Sequence, residues 1–123
     1  QIMCDVGLEK FIGSDAGSMP YGALKWLEIA RALASEPGIL LLDEPAAGLN
    51  PSETSEIDDL IKRVAEKGIT VILVEHDMKL VMGVSDHILV LDSGRKLAEG
   101  TAEEIRKNPD VIEAYLGHRR GAR

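Results

Sequence analysis

The 123-residue chain has one cysteine, Cys4, which excludes an internal disulfide framework and fits a reducing compartment. Aromatic residues make up only 3%, from Phe11, Tyr21, Trp26 and Tyr115, too few for a surface that stacks the bases of single-stranded nucleic acid. No apolar run approaches the roughly 18 residues needed to cross a bilayer, and no charged start leads into an apolar signal core. The pattern G-x-x-x-x-G-K-[ST], a glycine loop and lysine that cradle phosphates, occurs nowhere. Positive charge is scarce too. Fourteen Lys and Arg face 21 Asp and Glu for a net charge of −7, although Arg119, Arg120 and Arg123 crowd the end. So acidic a body is a poor non-specific partner for a phosphate backbone. A small nucleotide site stays possible, because backbone N–H groups and a metal ion hold phosphates without net positive charge. The chain begins with Gln1 rather than Met, and is expected to be a piece of a longer one.

What is present reads as one globular domain or part of one, with 45% hydrophobic and 28% charged residues. Residues 1–12 carry a weak helical pattern, and Ser14 to Ser18 read as a loop. Trp26, Ile29, Ala30 and Leu33 fall at helical spacing and predict a helix from Ala23 to Ser35, ended by Pro37-Gly38. Ile39 to Leu42 is a continuous apolar run of the kind found in buried parallel strands. Asn50-Pro51-Ser52-Glu53 is a strong helix start, with a capping residue, proline in the first turn and a capping-box carboxylate. Ile57, Leu60, Ile61, Val64 and Ala65 form one face of that helix, and Gly68 stands where a left-handed stop belongs. Ile69 to Val74 predicts a second buried strand, and Leu80-Val81 a short helix. Ile88 to Leu91 predicts a third strand, and Lys96 to Glu99 its hairpin partner. Thr101 with Glu104 caps another helix, and Asn108-Pro109 starts a last one through Leu116, closed by Gly117. Strand, helix, strand, short helix, strand in this order predicts a parallel sheet, with ligands at the carboxyl ends of its strands.

The chemistry concentrates at those ends. Asp43 and Glu44 follow the first strand. Asp43 is a hard oxygen donor suited to magnesium, and Glu44 points elsewhere and could deprotonate an attacking water. The same pair also serves as a plain solvated strand end. His76, after the second strand, could meet a terminal phosphate, or be a surface histidine. Gly22 could bring a helix N-terminus to a phosphate, or mark an ordinary turn.

Together these residues resemble the ATP-binding cassette ATPases. Met19-Pro20-Tyr21-Gly22, followed by Leu27-Glu28-Ile29-Ala30-Arg31-Ala32-Leu33, resembles the family signature and its helix. Ile39 to Pro45 resembles Walker B with the catalytic glutamate. Ala47-Gly48-Leu49-Asn50-Pro51 resembles the D-loop, and Val74-Glu75-His76-Asp77 the switch-histidine segment. The resemblance covers residues 6–117, with 1–35 as the end of a helical subdomain and the signature helix, 36–117 as the remainder, and 118–123 as a basic tail. Within the family, Glu44 to Pro51, Glu75 to Met82 and Asn108 to Ile112 are similar to the ATP-binding subunits of branched-chain amino-acid importers. Subunits of lipopolysaccharide exporters are the nearest competitor.

This resemblance implies an α/β fold: the C-terminal part of a P-loop (RecA-like) ATPase domain with a parallel sheet that lacks the Walker A strand. ATP and Mg2+ are the implied cofactors. Asp43 is implied as the magnesium ligand, with Glu44 and His76 catalytic and Pro20, Tyr21, Gly22, Ala47, Gly48, Leu49 and Asn50 at the nucleotide. A second ATPase subunit in a head-to-tail dimer and a membrane permease are the implied partners, with no nucleic acid, at the cytoplasmic face of the inner membrane. A truncated, non-hydrolysing interaction module is the alternative from another class.

The signature departs from the family pattern. Pro20 replaces the usual serine or alanine and supplies neither hydroxyl nor N–H, so Gly22 and the helix dipole remain for a phosphate. Trp26 stands at a position usually basic in relatives, where packing against another element accounts for it. Glu53, Glu56, Asp58 and Asp59 read as a solvated helix face. The family places its phosphate-loop strand between Ile69–Val74 and Ile88–Leu91, so the chain should carry unpaired strand edges. Without the phosphate cradle, the 123-residue chain alone should bind Mg-ATP weakly and not turn it over. Steady-state phosphate release from contaminant-free chain is the check, and robust release would overturn the expectation.

Overall fold

In the computed structural model, which describes residues 1–115, the chain divides into two units, Gln1–Leu80 and the residues from Val81 onward. The expected helix end through Leu116 and Gly117, and the basic tail 118–123, lie outside the described residues.

The first unit opens with α1 (Ile2–Asp5) and two single 3-10 turns, Glu9–Phe11 and Ala16–Ser18. Next comes α2, which spans Tyr21–Leu33 rather than Ala23 to Ser35. Pro20 takes the N-cap position with φ −58°, so the helix starts at once and Gly22 lies inside its first turn, not ahead of it. The other end is set by Glu36, which adopts a left-handed φ of 51° before Pro37, a proline that disfavours helix in its predecessor. Trp26, Ile29 and Ala30 are buried along α2. Burial of Trp26 accounts for an aromatic residue at that position.

Strand β1 (Ile39–Asp43) pairs in parallel with β2 (Thr70–Val74), from Ile39 opposite Thr70 to Asp43 opposite Val74. Between them runs α3 (Pro51–Glu66), whose start is the expected capping box. The Asn50 side chain accepts from the Glu53 N–H at 2.9 Å, and the Glu53 carboxylate accepts from the Asn50 N–H at 2.9 Å. Ile57, Leu60, Ile61 and Val64 are buried and face the sheet, whereas Ala65 is exposed. Eight residues beyond Ile57, Ala65 stands about 80° round the helix, at the margin of the apolar stripe. Gly68 ends the connection with φ 87°. On the acidic face Asp58 pairs with Lys62 at 2.8 Å, and this hydrogen bond holds the Lys62 ammonium above its ordinary pKa.

Helix α4 (Met78–Val84) contains the division between the units. In the second unit, β3 (Ile88–Asp92) pairs antiparallel with β4 (Arg95–Gly100). The expected parallel sheet is formed by β1 and β2, and β3 pairs with β4 rather than extending it. The strands make two sheets of two strands each, only β1–β2 parallel. The hairpin turn has positive φ at both Ser93 and Gly94, which matches the twist of a two-residue loop. Within β4 and the residues it faces, a hydrogen bond from Lys96 at 2.6 Å, aided by His87, holds the Glu99 carboxyl below the usual carboxylate range. Helices α5 (Ala102–Lys107) and α6 (Pro109–Tyr115) follow, and Ile105 and Val111 are buried, as are Ile88, Val90 and Ala98 of the hairpin. The Tyr115 hydroxyl donates to the Leu91 carbonyl at 2.8 Å.

Both strands of the parallel pair were expected to be buried on two faces. In β1 only Leu40 and Leu42 are buried, and in β2 Val71 and Leu73 are half-buried. The other face is bare: Ile39 is 59% exposed, Leu41 70%, Ile72 50% and Val74 59%. Leu41 and Ile72 are register partners, so these side chains form one apolar stripe. Such a stripe beside unpaired strand edges favours association. The 123-residue chain should self-associate with rising concentration, and Leu41→Thr should weaken that association severalfold in sedimentation velocity. A monomer with a sharp, reversible, concentration-independent unfolding transition would contradict this.

Candidate functional site

The parallel register carries the carboxyl ends of β1 and β2 to the same edge, with Asp43 opposite Val74. One further ladder bond, from the Glu44 N–H to the Val74 carbonyl at 2.8 Å, keeps the two chains together past the last strand residue. Glu44 then adopts a left-handed φ of 47°. That conformation is uncommon for a residue with a Cβ and costs about 1–3 kcal/mol. It breaks the strand's alternation, and the Glu44 side chain reaches His76 across the gap.

His76 Nδ1 lies 3.1 Å from Glu44 Oε1. A carboxylate only accepts, so Nδ1 carries the proton of this bond and Nε2 is left as the second ring nitrogen. Both side chains are more than half exposed. Asp43 is exposed beside a depression of about 170 Å³ that it shares with Lys25, Glu28, Leu41 and Pro45. This is smaller than the roughly 300 Å³ at which ligand pockets begin. The site is thus an open edge rather than a closed pocket. Among the described residues no group of three or more His, Cys, Asp and Glu could enclose a metal ion. Asp43 fits magnesium in the manner usual for that ion, which takes one or two carboxylates and completes its shell with water and phosphate oxygens.

The loop from Glu44 to Asn50 is wound by its own bonds, Ala47 N–H to the Glu44 carbonyl at 3.1 Å and Leu49 N–H to the Ala46 carbonyl at 3.2 Å. Tyr21, from the first turn of α2, donates its hydroxyl to the Ala47 carbonyl at 3.2 Å. Gly48, with φ 76°, lies under the Tyr21 ring; a Cβ there would come within 3.1 Å of the ring edge. Gly22 is equally hemmed in, because a Cβ would stand 3.0 Å from Glu53 Oε1 and 3.2 Å from the Trp26 ring. Asn50 is engaged in capping α3.

The sequence-predicted residues therefore gather in two groups. Glu44 and His76 touch each other, with Asp43 beside Glu44 in the chain. Tyr21, Ala47 and Gly48 touch one another, and Pro20 and Gly22 flank Tyr21. Leu49 and Asn50 complete the loop.

Sequence reasoning missed Glu75. Its side chain is 1% exposed and accepts from three backbone N–H groups: His76 at 3.0 Å, Asp77 at 3.4 Å and Ala46 at 3.3 Å. Strand alternation could have found it. Val71 and Leu73 face inward, and Glu75 is the next residue of that parity.

Comparison with known proteins finds the following relatives. A family model described as branched-chain amino acid ATP-binding cassette transporter matches residues 95–120. The chain is 55% identical over 114 residues to the high-affinity branched-chain amino acid transport ATP-binding protein BraF of Pseudomonas aeruginosa, covering 92% of this chain and 45% of that one. The chain thus spans less than half the length of the curated relatives it matches. Among solved structures, the ADP conformation of an ATP-binding cassette of an ABC transporter superposes with a TM-score of 0.84 at 32% identity, over 94% of this chain and 47% of that one. A dimeric, post-hydrolysis ATP-binding cassette bound to ADP and Pi has a TM-score of 0.70 at 29% identity, over 82% and 44%. The α/β fold is a portion of the P-loop ATPase fold.

The contact between Tyr21 and the loop gives a measurable expectation. Gly48→Ala should lower stability by about 1 kcal/mol or more, through positive φ and crowding of the ring. Tyr21→Phe should cost about 0.5–1.5 kcal/mol for its hydrogen bond. Urea unfolding of each variant is the check, and wild-type midpoints for both would remove the contact.

Proposed function

We propose that the chain, which is similar to ATP-binding cassette ATPases, supplies the hydrolytic edge of a nucleotide site in the ATP-hydrolysing subunit of a branched-chain amino-acid importer. The observation that carries the mechanism is the contact of Glu44 with His76 at 3.1 Å where the two parallel strands end. The relatives' transport role and the family model support the substrate class.

Asp43 is the residue that would hold Mg2+, and the ion would supply positive charge beside the phosphate there. Glu44 takes the proton of the attacking water, since its carboxylate is exposed at the strand end and anchored through its own N–H. His76, oriented through Nδ1 by Glu44, meets a γ-phosphate oxygen through Nε2 when that nitrogen also carries a proton, since a phosphate oxygen only accepts. Positioning and fixed charge do most of the work in phosphoryl transfer, so the rigidity of this strand edge matters more than the strength of any one base.

The second group serves the partner's nucleotide in a head-to-tail dimer. Pro20 offers no hydrogen there, so the start of α2 at Tyr21 and Gly22 supplies the positive end of the helix dipole. Tyr21 ties this helix start to the loop through Ala47. Closure of the dimer on ATP would then drive a membrane permease, with this subunit peripheral on the cytoplasmic face. Among the described residues no helix is long and apolar enough to cross a membrane.

In the complete gene product, Glu44→Gln should lower ATP turnover by about 100-fold or more, the scale of general-base catalysis, while ATP still binds. Phosphate release and nucleotide binding measure the two, and labelled leucine uptake reads the substrate class. Undiminished turnover in the variant would overturn the role of Glu44, and uptake unaffected by loss of the gene would overturn the substrate.

A further inference from the structure

We infer that Glu75 is a positioning residue that clamps the two strand-end loops together and so sets the Glu44–His76 pair; its effect on catalysis rests on the ATPase function proposed above. Its carboxylate is withdrawn from solvent, 1% exposed, yet among the described residues no Lys or Arg pairs with it, and the His76 Nδ1 is 3.6 Å from Oε1. What it does have is backbone. Oε1 accepts from the N–H groups of His76 and Asp77, at 3.0 and 3.4 Å. Oε2 turns the other way and accepts from Ala46 N–H at 3.3 Å, 29 residues earlier in the chain.

Each oxygen thus serves a different loop, and each is met by donors only. A carboxylate satisfies both sides because it has no hydrogen to offer. Glutamine has the same shape, but it puts an NH2 group on one side, where an N–H already points. One loop would keep its acceptor and the other would meet a donor. Alanine would leave all three N–H groups without this acceptor. Aspartate is one methylene too short to reach both.

The linked segments are those that hold the reactive pair. Ala46 lies two residues after Glu44, next to the Ala47 carbonyl that receives Tyr21. His76 is the residue bonded by Oε1, and Asp77 in turn caps α4 by accepting from the Leu80 N–H at 3.1 Å. The clamp therefore joins the loop after Glu44, the histidine and the start of α4 through one acceptor-only group.

The test uses the complete gene product, with amide hydrogen exchange followed by NMR and ATP turnover measured in parallel for wild type, Glu75→Gln and Glu75→Ala. In Glu75→Gln, the amides of one loop should stay protected while those of the other exchange about tenfold faster or more; in Glu75→Ala all three should exchange faster. Turnover should fall about tenfold or more in Glu75→Gln, with KM for ATP within about twofold, because misplacement of a reacting group lowers kcat without loss of nucleotide binding. If glutamine protects Ala46, His76 and Asp77 as well as glutamate does, the clamp is wrong. If the exchange pattern appears and kcat is unchanged, the positioning role is overturned. A wild-type protein that hydrolyses no ATP would overturn the proposed function, and the exchange pattern would still decide the clamp.

Discussion

The parallel register of β1 and β2 is the constraint on which the site depends. A parallel pair brings like ends together, so Asp43 faces Val74 and the residues that follow each strand emerge side by side. Had the same strands paired antiparallel, Glu44 and His76 would stand at opposite ends of the sheet. The connection between them must then cross over the sheet, and α3 is that crossover. Its capped start at Asn50 and its buried stripe from Ile57 to Val64 hold the two strands in register.

Around that edge the backbone sets where the side chains stand. Glu44 in the left-handed region, Gly48 beneath the Tyr21 ring and the Glu75 carboxylate among three N–H groups are local conformations that isolated peptide would seldom hold. They persist because neighbouring segments constrain them. The short loop from Glu44 to Asn50 is fixed at one end by the strand, at the other by the α3 cap, and in its middle by Tyr21. An edge assembled this way keeps exposed side chains in place without burying them.

The bare faces of the two small sheets express the same economy at larger scale. Apolar runs such as Ile39 to Leu42 carry enough hydrophobic surface for two covered faces, and among the described residues only one is covered in β1. Solved ATP-binding cassettes that this chain matches over more than nine-tenths of its length are about twice as long.

Much of the fold was legible because its signals are local. Helix starts at Asn50 and Thr101, stops at Gly68, the hairpin at Ser93-Gly94 and the three apolar strand runs all follow from residue types within a turn or two of each other. Two boundaries differed. The start of α2 moved because Pro20 caps it, and Ala65 fell at the edge of a stripe only as wide as the sheet it covers. Candidate residues at the strand ends were legible as types, and family resemblance supplied their roles. By itself the sequence determined which residues stand at the ends of which strands, since periodicity and caps are short-range. Only the tertiary structure decided that Glu44 meets His76, that Tyr21 holds the loop, and that the two oxygens of Glu75 serve separate segments, because those contacts join residues 26 to 32 positions apart and depend on register and backbone conformation that no local pattern encodes.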